Sequence, residues 1–197
     1  MEIVPDRFDR AIQAMDASNS QDPKRTQFGG LDGPRELIFA RRVYDWVIRL
    51  DPSAGEALLL AARGHTLRRW DVPRSSYPMN KIGYRDWRNA CAKHHAQVAE
   101  KILKEQGFEE STINEVSRLI LKEDWPALPG ARALEDADCL AFLEMKLAEY
   151  LDEWGEAKTV NILRKTLRKM TAEAITLAAS IALDARSAEL LAQASRE

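Results

Sequence analysis

The chain has 197 residues, which is enough for one domain with a substantial core, because a domain of about this length buries roughly 70% of the surface that its unfolded chain exposes. Lys and Arg total 29 and Asp and Glu total 31, so the formal net charge is −2. A global positive field is therefore excluded, and we expect neither a nucleic-acid nor a membrane partner.

The first residues contain no cationic leader followed by an apolar block, and the sequence has no run of about 18 apolar residues. The two cysteines, Cys91 and Cys139, lie within predicted helices. Buried, reduced thiols are typical of cytosolic proteins, so we expect no disulfide. These features together predict a cytoplasmic protein.

Helical periodicity governs the first third of the chain. The first helix gives way to the polar stretch 18–33, which is predicted to be a loop. Pro34 takes a first-turn position of the second helix, whose apolar residues are spaced by three and four. The segment 51–53 (Asp-Pro-Ser) ends that helix and caps a third over 54–68, where His65 lies beside the apolar face.

The rest of the chain follows the same pattern. Residues 70–83 contain two prolines and a glycine and predict a loop. A long helix over 84–106 follows, with Gly107 in the position of a C-terminal cap. Further helices are predicted from Thr112 to about 122, over 133–151, over 157–169, and from Thr171 onward. No strand pair is convincing, so we expect an all-α fold, a single globular domain over 1–197 with about eight helices.

The histidines suggest a site. Only three are present, His65 and the adjacent His94 and His95. His95 interrupts one apolar stripe and Asp136 another, and a polar side chain there needs a partner or costs about 1 to 3 kcal/mol. Imidazole nitrogen and carboxylate oxygen are the usual non-thiol ligands of a divalent transition metal, so His65, His95 and Asp136 predict a metal site. A buried His–Asp hydrogen bond that locks two helices is the alternative.

Two neighbouring residues complicate this ligand set. Asp138 lies roughly 200° around the helix from Asp136, so both carboxylates cannot point at one centre, and the leucine stripe favours Asp136. His94 lies off the stripe of His95, which alone is typical of a solvated histidine. The metal-ligand candidates are therefore His65, His94, His95, Asp136 and Asp138.

Arginines and aromatic residues cluster after His65. They are Arg68, Arg69, Trp70, Arg74, Tyr77, Lys81, Tyr84 and Arg88. Guanidinium groups beside rings can clamp a phosphate or carboxylate, whereas a solvated basic face is the alternative. We expect this loop to cover the His/Asp site and to contact an anion, with Arg74 as the first choice. Arg68, Arg69 and Lys122 are the further candidates for this catalytic role.

Four segments resemble a known family along nearly the whole chain. They are RGHTLRRWDVPRSSYP, GYRDWRNACAKHHAQVAEKIL, LEDADCLAFLE and KTLRKM, and they resemble the domain of unknown function 4202 family. Its members are often labelled glutamyl-tRNA synthetase-like. No HIGH or KMSKS-type element and no mononucleotide-binding βα unit is visible here, so we expect no synthetase activity.

The order of a His, a His doublet and an Asp also resembles the HD superfamily of metal-dependent phosphohydrolases, which binds metal through a His, a His-Asp doublet and a distant Asp. By position, His65 matches the first ligand, and His94-His95 or His95-Ala96 matches the doublet without its aspartate. The last ligand is Asp136, or Asp138 if EDADCL follows the superfamily's Ala-Asp-x-x-Leu-like ending. The resemblance implies an HD-domain-like fold.

Three functions compete at this point. The first is a metal-dependent, HD-like hydrolase acting on a small phosphorylated molecule, in which the metal activates water and an arginine stabilises charge. The second is a non-catalytic member of the same scaffold that binds an anionic ligand or a protein partner. The third is a purely structural helical protein. The sequence leaves a homo-oligomer open.

Overall fold

The computed structural model describes residues 6–196, and within them the chain is mainly helical, as predicted. One hairpin and ten α-helices follow in chain order: α1 (Arg7–Asn19), β1 (Arg25–Phe28), β2 (Leu31–Pro34), α2 (Arg35–Leu50), α3 (Glu56–Gly64), α4 (Lys81–Glu105), α5 (Glu110–Leu121), α6 (Ala131–Met145), α7 (Leu147–Trp154), α8 (Glu156–Leu167), α9 (Ala172–Ala178) and α10 (Ala185–Ser195). Two short 3₁₀ turns at 69–71 and 74–76 interrupt the connection between α3 and α4.

The hairpin corrects the prediction of a loop over 18–33. Strands β1 and β2 pair in antiparallel register, with Phe28 opposite Leu31. Gly29 and Gly30 form the turn with φ of +57° and +80°, which glycine adopts without steric cost. A Gly-Gly pair is a recognised signal for a two-residue hairpin turn, and the polar character of the flanking residues masked it.

The helix count also differs from the prediction of about eight. The predicted helix over 133–151 is broken at Lys146 into α6 and α7. The last predicted helix is likewise two, because Asp184 accepts a hydrogen bond from the Ser187 amide and starts α10. A side-chain cap of this kind satisfies amide groups that a helix start leaves unpaired.

The core forms where the apolar stripes of the helices meet. Helix α3 lies between α2 and α5, α4 packs on α5, and α6 packs on α2. The residues at the centre of this packing, such as Leu60 of α3, Leu103 of α4 and Leu140 of α6, are fully buried. Burying a leucine side chain contributes about 1.5 to 3 kcal/mol, so these contacts fix the positions of the helices that carry the polar residues described below.

Both ends of α4 have a local cause. The Asn80 side chain accepts a hydrogen bond from the Gly83 amide at 2.8 Å, so the helix begins three residues before the predicted start. Gly107 follows its end with φ of +76°, as predicted for a C-terminal cap. Gly83 lies so close to the preceding loop that a Cβ atom there would be 2.2 Å from the Pro78 carbonyl oxygen. The loop can pack this closely against the helix only because glycine has no side chain.

No helix within residues 6–196 is long and apolar enough to cross a membrane. Cys91 and Cys139 are free and buried, as predicted. Burial raises the pKa of both thiols, so both are protonated near neutral pH.

Candidate functional site

His65 caps the C-terminal end of α3 and faces α6. Its Nδ1 atom is 2.9 Å from the Ala62 carbonyl oxygen, and because a carbonyl only accepts, Nδ1 carries a proton. Its Nε2 atom is 3.4 Å from Oδ1 of Asp138. Nε2 is buried and makes no directed hydrogen bond to a described residue. The end of α3 thus brings an imidazole to a carboxylate on α6.

Asp138 is ionised in this contact. Burial raises the pKa of its carboxyl group, but the contact with His65 and the charges of Lys122 and Arg88 outweigh burial and hold the pKa well below its usual range. The carboxylate and a bare Nε2 would both be acceptors and would repel each other. The pair is therefore attractive only when Nε2 of His65 carries a proton and the imidazole is cationic.

His95, in the middle of α4, is the most deeply buried of the three histidines, with 2% of its surface exposed. Its Nδ1 atom donates to the Leu67 carbonyl oxygen at 2.6 Å. Burial lowers its pKa to about 3, and the hydrogen bond to Leu67 offsets this only in part. The imidazole is neutral near pH 7, and Nε2 is a buried acceptor with no hydrogen-bond partner among residues 6–196.

Glu36 lies in the first turn of α2 and is buried, with 6% of its surface exposed. Burial raises the pKa of its carboxyl group, but the charges of Lys146, Arg69 and Arg35 outweigh burial and lower the pKa overall. The group is an ionised carboxylate. Its Oε2 atom finds no hydrogen-bond partner in the described part of the chain.

Lys146 stands at the break between α6 and α7. Its ammonium group is 3.4 Å from the centroid of the Phe39 ring, and 9% of the residue is exposed. Burial lowers its pKa to about 8, although the charge of Glu36 opposes that effect. The group remains mainly protonated at pH 7, and it makes no salt bridge within 4.0 Å to any acid that the structure describes.

Two half-buried arginines lie near the same groups. The Arg69 guanidinium is 4.8 Å from the centroid of the Trp87 ring. Arg88 directly follows Trp87 on α4, where burial lowers its pKa but the charge of Asp138 raises it overall. Neither arginine forms a salt bridge with an acid in residues 6–196. The groups linked to one another through the effect of their charges on each other's pKa are called the central cluster below; they are Glu36, His65, Arg69, Arg88, His95, Asp138 and Lys146.

Asp136 forms its contacts with Thr171, outside the central cluster, and the preference for it over Asp138 as a metal ligand stays a prediction. Its two carboxylate oxygens accept from the Thr171 amide at 2.9 Å and the Thr171 hydroxyl at 2.6 Å. The residue is 97% buried, as its place on the leucine stripe predicted, with 3% exposed. It braces the start of α9, while Asp138, on another side of α6, faces His65.

His94 and Arg68 also lie outside the cluster, and they share one partner. Nε2 of His94 is 3.3 Å from Asp71, and the Arg68 guanidinium contacts the same carboxylate at 2.7 Å. Arg68 donates further to the Gln21 side chain at 3.0 Å. This half-exposed group joins the loop between α3 and α4 to the segment that follows α1, so its polar atoms already serve the fold.

Arg74, the first choice for an anion contact, is used within its own loop. Its guanidinium donates to the carbonyl oxygens of Tyr77 at 2.9 Å and Pro78 at 2.8 Å. Lys122 pairs with Glu135, which a second lysine also contacts. Of the four predicted cations, Arg69 belongs to the central cluster, and the charge of Lys122 also acts on its Asp138.

Sequence reasoning missed Glu36 and Lys146 and gave Arg88 no role of its own. An acidic residue in a first helical turn is expected from the helix dipole alone, so Glu36 carried no special signal. Lys146 lies one residue before Leu147 of the predicted leucine stripe, and a lone lysine beside a stripe is typically solvent-exposed. The break between α6 and α7, which buries it, was not predicted.

The side chains of the central cluster do not form the ligand set that the sequence predicted for a metal. Among residues 6–196 no three His, Cys, Asp or Glu side chains form a group that could hold a metal ion. Asp136 is engaged by Thr171, His94 by Asp71, and three cations stand close to the remaining acceptors. A divalent transition metal at this site stays a prediction.

One family model matches residues 9–191, and its description is domain of unknown function (DUF4202). The chain belongs to this family. No curated protein matches the chain, and no solved structure does. Membership in the DUF4202 family covers the whole central cluster but carries no statement of activity, so function has to be argued from the cluster itself.

Proposed function

We propose that this protein binds a small phosphorylated molecule at the central cluster and hydrolyses its phosphate ester. The observation that carries the proposal is that Lys146, Arg69 and Arg88 are buried or half-buried cations without a salt bridge among the described residues. A buried ion without a partner costs several kcal/mol. A phosphate dianion supplies the missing negative charge and matches guanidinium groups in geometry.

The resemblance to the HD superfamily of phosphohydrolases supports the same chemistry. It is carried by His65, by the His94-His95 doublet and by Asp138 of EDADCL. Nε2 of His65 is 3.4 Å from Oδ1 of Asp138. This favours Asp138, rather than Asp136, as the residue that corresponds to the last aspartate of the superfamily. An HD-domain-like fold is therefore part of the proposal.

In the proposed reaction His65 is the general acid. Nε2, which faces Asp138 in the structure, turns its proton towards the bound ester and gives it to the leaving oxygen as the bond from that oxygen to phosphorus breaks, while Asp138 stabilises the imidazole in its protonated form. Water forms the new bond to phosphorus, releases one proton to solvent, and His65 is protonated again from solvent. Lys146 and the arginines stabilise the charge on the transferring group, which is the main demand of phosphoryl transfer.

His95 is not the general base in this scheme. Its pKa of about 3 lies far below neutral pH, and a base is most effective when its pKa is near the working pH. Phosphoryl transfer passes through a loose transition state that needs little activation of the attacking water. His95 therefore acts as a neutral hydrogen-bond acceptor.

The proposal is tested by measuring phosphate release from a panel of phosphate monoesters with a matched pair of variants on α4. Arg88→Met removes a cluster cation, whereas Arg85→Met removes an arginine that is 71% exposed one turn earlier. We expect kcat/KM to fall by about 10²- to 10³-fold for Arg88→Met and to stay unchanged for Arg85→Met. Equal activity of the two variants would remove the cluster from the reaction.

A second function, anion binding without turnover, is favoured by the deep burial of the cluster. His95, Glu36 and Lys146 are each less than 10% exposed, so a ligand can enter only if the structure around the cluster opens. Titration of the same monoesters by calorimetry separates the two functions. Binding without release of inorganic phosphate supports the second function and contradicts the first.

A further inference from the structure

Two atoms of the central cluster are not explained by binding a phosphate. They are Nε2 of His95 and Oε2 of Glu36, which belong to residues that are 2% and 6% exposed. Neither atom has a hydrogen-bond partner among residues 6–196. A buried polar atom without a partner costs about 1 to 3 kcal/mol, so two such atoms in one cluster point to a ligand that supplies hydrogens.

Both atoms can only accept hydrogen bonds. Nδ1 of His95 is committed to the Leu67 carbonyl oxygen at 2.6 Å, which fixes the proton on that nitrogen and leaves Nε2 bare. Glu36 is a carboxylate, because Lys146, Arg69 and Arg35 hold its pKa low. A phosphate dianion carries no hydrogen to donate, so the phosphoryl group cannot satisfy either atom.

The charges around these atoms decide which donor fits. Glu36 interacts with three cations already, and His95 lies in the field of Arg69 and His65. A ligand ammonium group would add a further positive charge to this environment, and like charges at close range repel. Neutral hydroxyl groups donate hydrogen bonds without adding charge.

We propose that the ligand is a polyhydroxylated phosphate ester, with its phosphoryl group against Lys146, Arg69 and Arg88 and its hydroxyl groups donating to His95 and Glu36. This inference rests on the proposed function, which places the phosphate of the ligand at the cations. The inference adds the chemical class of the rest of that ligand. Phosphate esters with a bare alkyl chain leave both acceptors unpaired, and a site built around such acceptors discriminates strongly against ligands that lack the donor.

The test compares ribose 5-phosphate with n-pentyl phosphate, which has the same number of carbons and no hydroxyl group, by calorimetric titration of the full chain. We expect ribose 5-phosphate to bind about 10- to 100-fold more tightly, the range that one unpaired acceptor implies. Equal affinity for the two esters overturns this inference and leaves the proposed function standing. Failure of both esters to bind overturns the proposed function itself.

A matched variant identifies the acceptor. His95→Asn keeps a donor near the position of Nδ1 for the Leu67 carbonyl and removes the Nε2 acceptor. The preference for ribose 5-phosphate over n-pentyl phosphate should shrink by about tenfold in this variant. Glu36→Gln is the second variant, measured in the same way. An unchanged preference in both folded variants shows that the hydroxyl groups bind elsewhere and overturns the assignment.

Discussion

Nζ of Lys146 lies 3.4 Å from the centroid of the Phe39 ring, and the lysine is 9% exposed. A cation over an aromatic face is attractive, but the interaction contributes only about 0.5 to 2 kcal/mol. That is less than the several kcal/mol that desolvating an ion costs. The lysine is therefore held in a position where a bound anion would stabilise it.

The first prediction follows from the pKa of Lys146, which burial lowers to about 8. The ammonium group is charged below that pH and neutral above it, while a phosphate monoester stays a dianion from about pH 7 upward. Affinity for n-pentyl phosphate should therefore fall as the pH rises from about 7 to about 9.5. Calorimetric titration across that range measures the change.

Lys146→Met should bind weakly at both ends of this range and lose the pH dependence. Lys158→Met is the matched control, because Lys158 also lies over an aromatic ring, 4.2 Å from the centroid of Trp154, but is exposed. It should behave as wild type. Constant affinity of the wild-type protein from pH 7 to pH 9.5 would contradict the role given to Lys146.

The second prediction concerns acid stability. The folded-state pKa of His95 is about 3 and its usual value is 6.5, so the unfolded chain binds the proton first as the pH falls. The stability tied to the neutral imidazole is complete above about pH 6.5 and is lost as the pH falls towards 3. At pH 4 this amounts to about 3 kcal/mol. Urea unfolding at pH 7 and pH 4 measures it.

Buried carboxylates also titrate between these pH values. Comparing the loss of unfolding free energy in wild type with the loss in His95→Asn separates the contribution of His95 from theirs. The variant should lose about 3 kcal/mol less than wild type between the two pH values. His94→Asn is the control, because His94 is half-exposed beside Asp71, and it should show the wild-type loss. Identical acid sensitivity of wild type and His95→Asn would show that His95 is not held neutral.

The third prediction separates the two aspartates of α6. Asp136→Ala removes both hydrogen bonds to Thr171 and should lower the free energy of unfolding by about 2 kcal/mol, with phosphate release unchanged per folded molecule. Asp138→Asn should instead abolish phosphate release, because the amide no longer favours a cationic His65. Unfolding curves and phosphate release from both variants test this. Loss of phosphate release in Asp136→Ala, with normal release in Asp138→Asn, would make Asp136 the functional residue.

The fourth prediction concerns the loop that leads into α4. A Cβ atom at Gly83 would meet the Pro78 carbonyl oxygen at 2.2 Å, and backbone cannot yield as a flexible side chain does. Gly83→Ala should therefore destabilise the protein by about 1 to 3 kcal/mol. Gly55→Ala, with nothing within 4 Å of the added Cβ, should change stability by less than about 1 kcal/mol. Thermal unfolding of both variants checks the packing, and equal melting temperatures would contradict it.

Much of the fold could be predicted because helical periodicity is a local signal. Pro34 and Gly107 lie at helix ends, as predicted, and the segment 51–53 separates α2 from α3, although the residue that caps α3 is Gly55 and not this segment. The hairpin was missed because β1 and β2 are four residues each and mostly polar. The break at Lys146 was missed because α6 and α7 continue the same apolar periodicity across it.

The site was predicted only in part, for a physical reason that Asp136 illustrates. Periodicity indicates that a side chain is buried, and both His95 and Asp136 are buried. It does not indicate which neighbouring helix supplies the partner. Asp136 meets Thr171 of a later segment, while Asp138, two residues further and on another side of α6, meets His65.

The most direct test of the central claim is a crystal structure of the protein with orthovanadate, a strongly scattering analogue of phosphate. We expect the anion within hydrogen-bonding distance of Lys146, with Nε2 of His65 turned towards one of its oxygens. Vanadate bound instead at the surface arginines Arg68 and Arg74, with the central cluster closed, would contradict it.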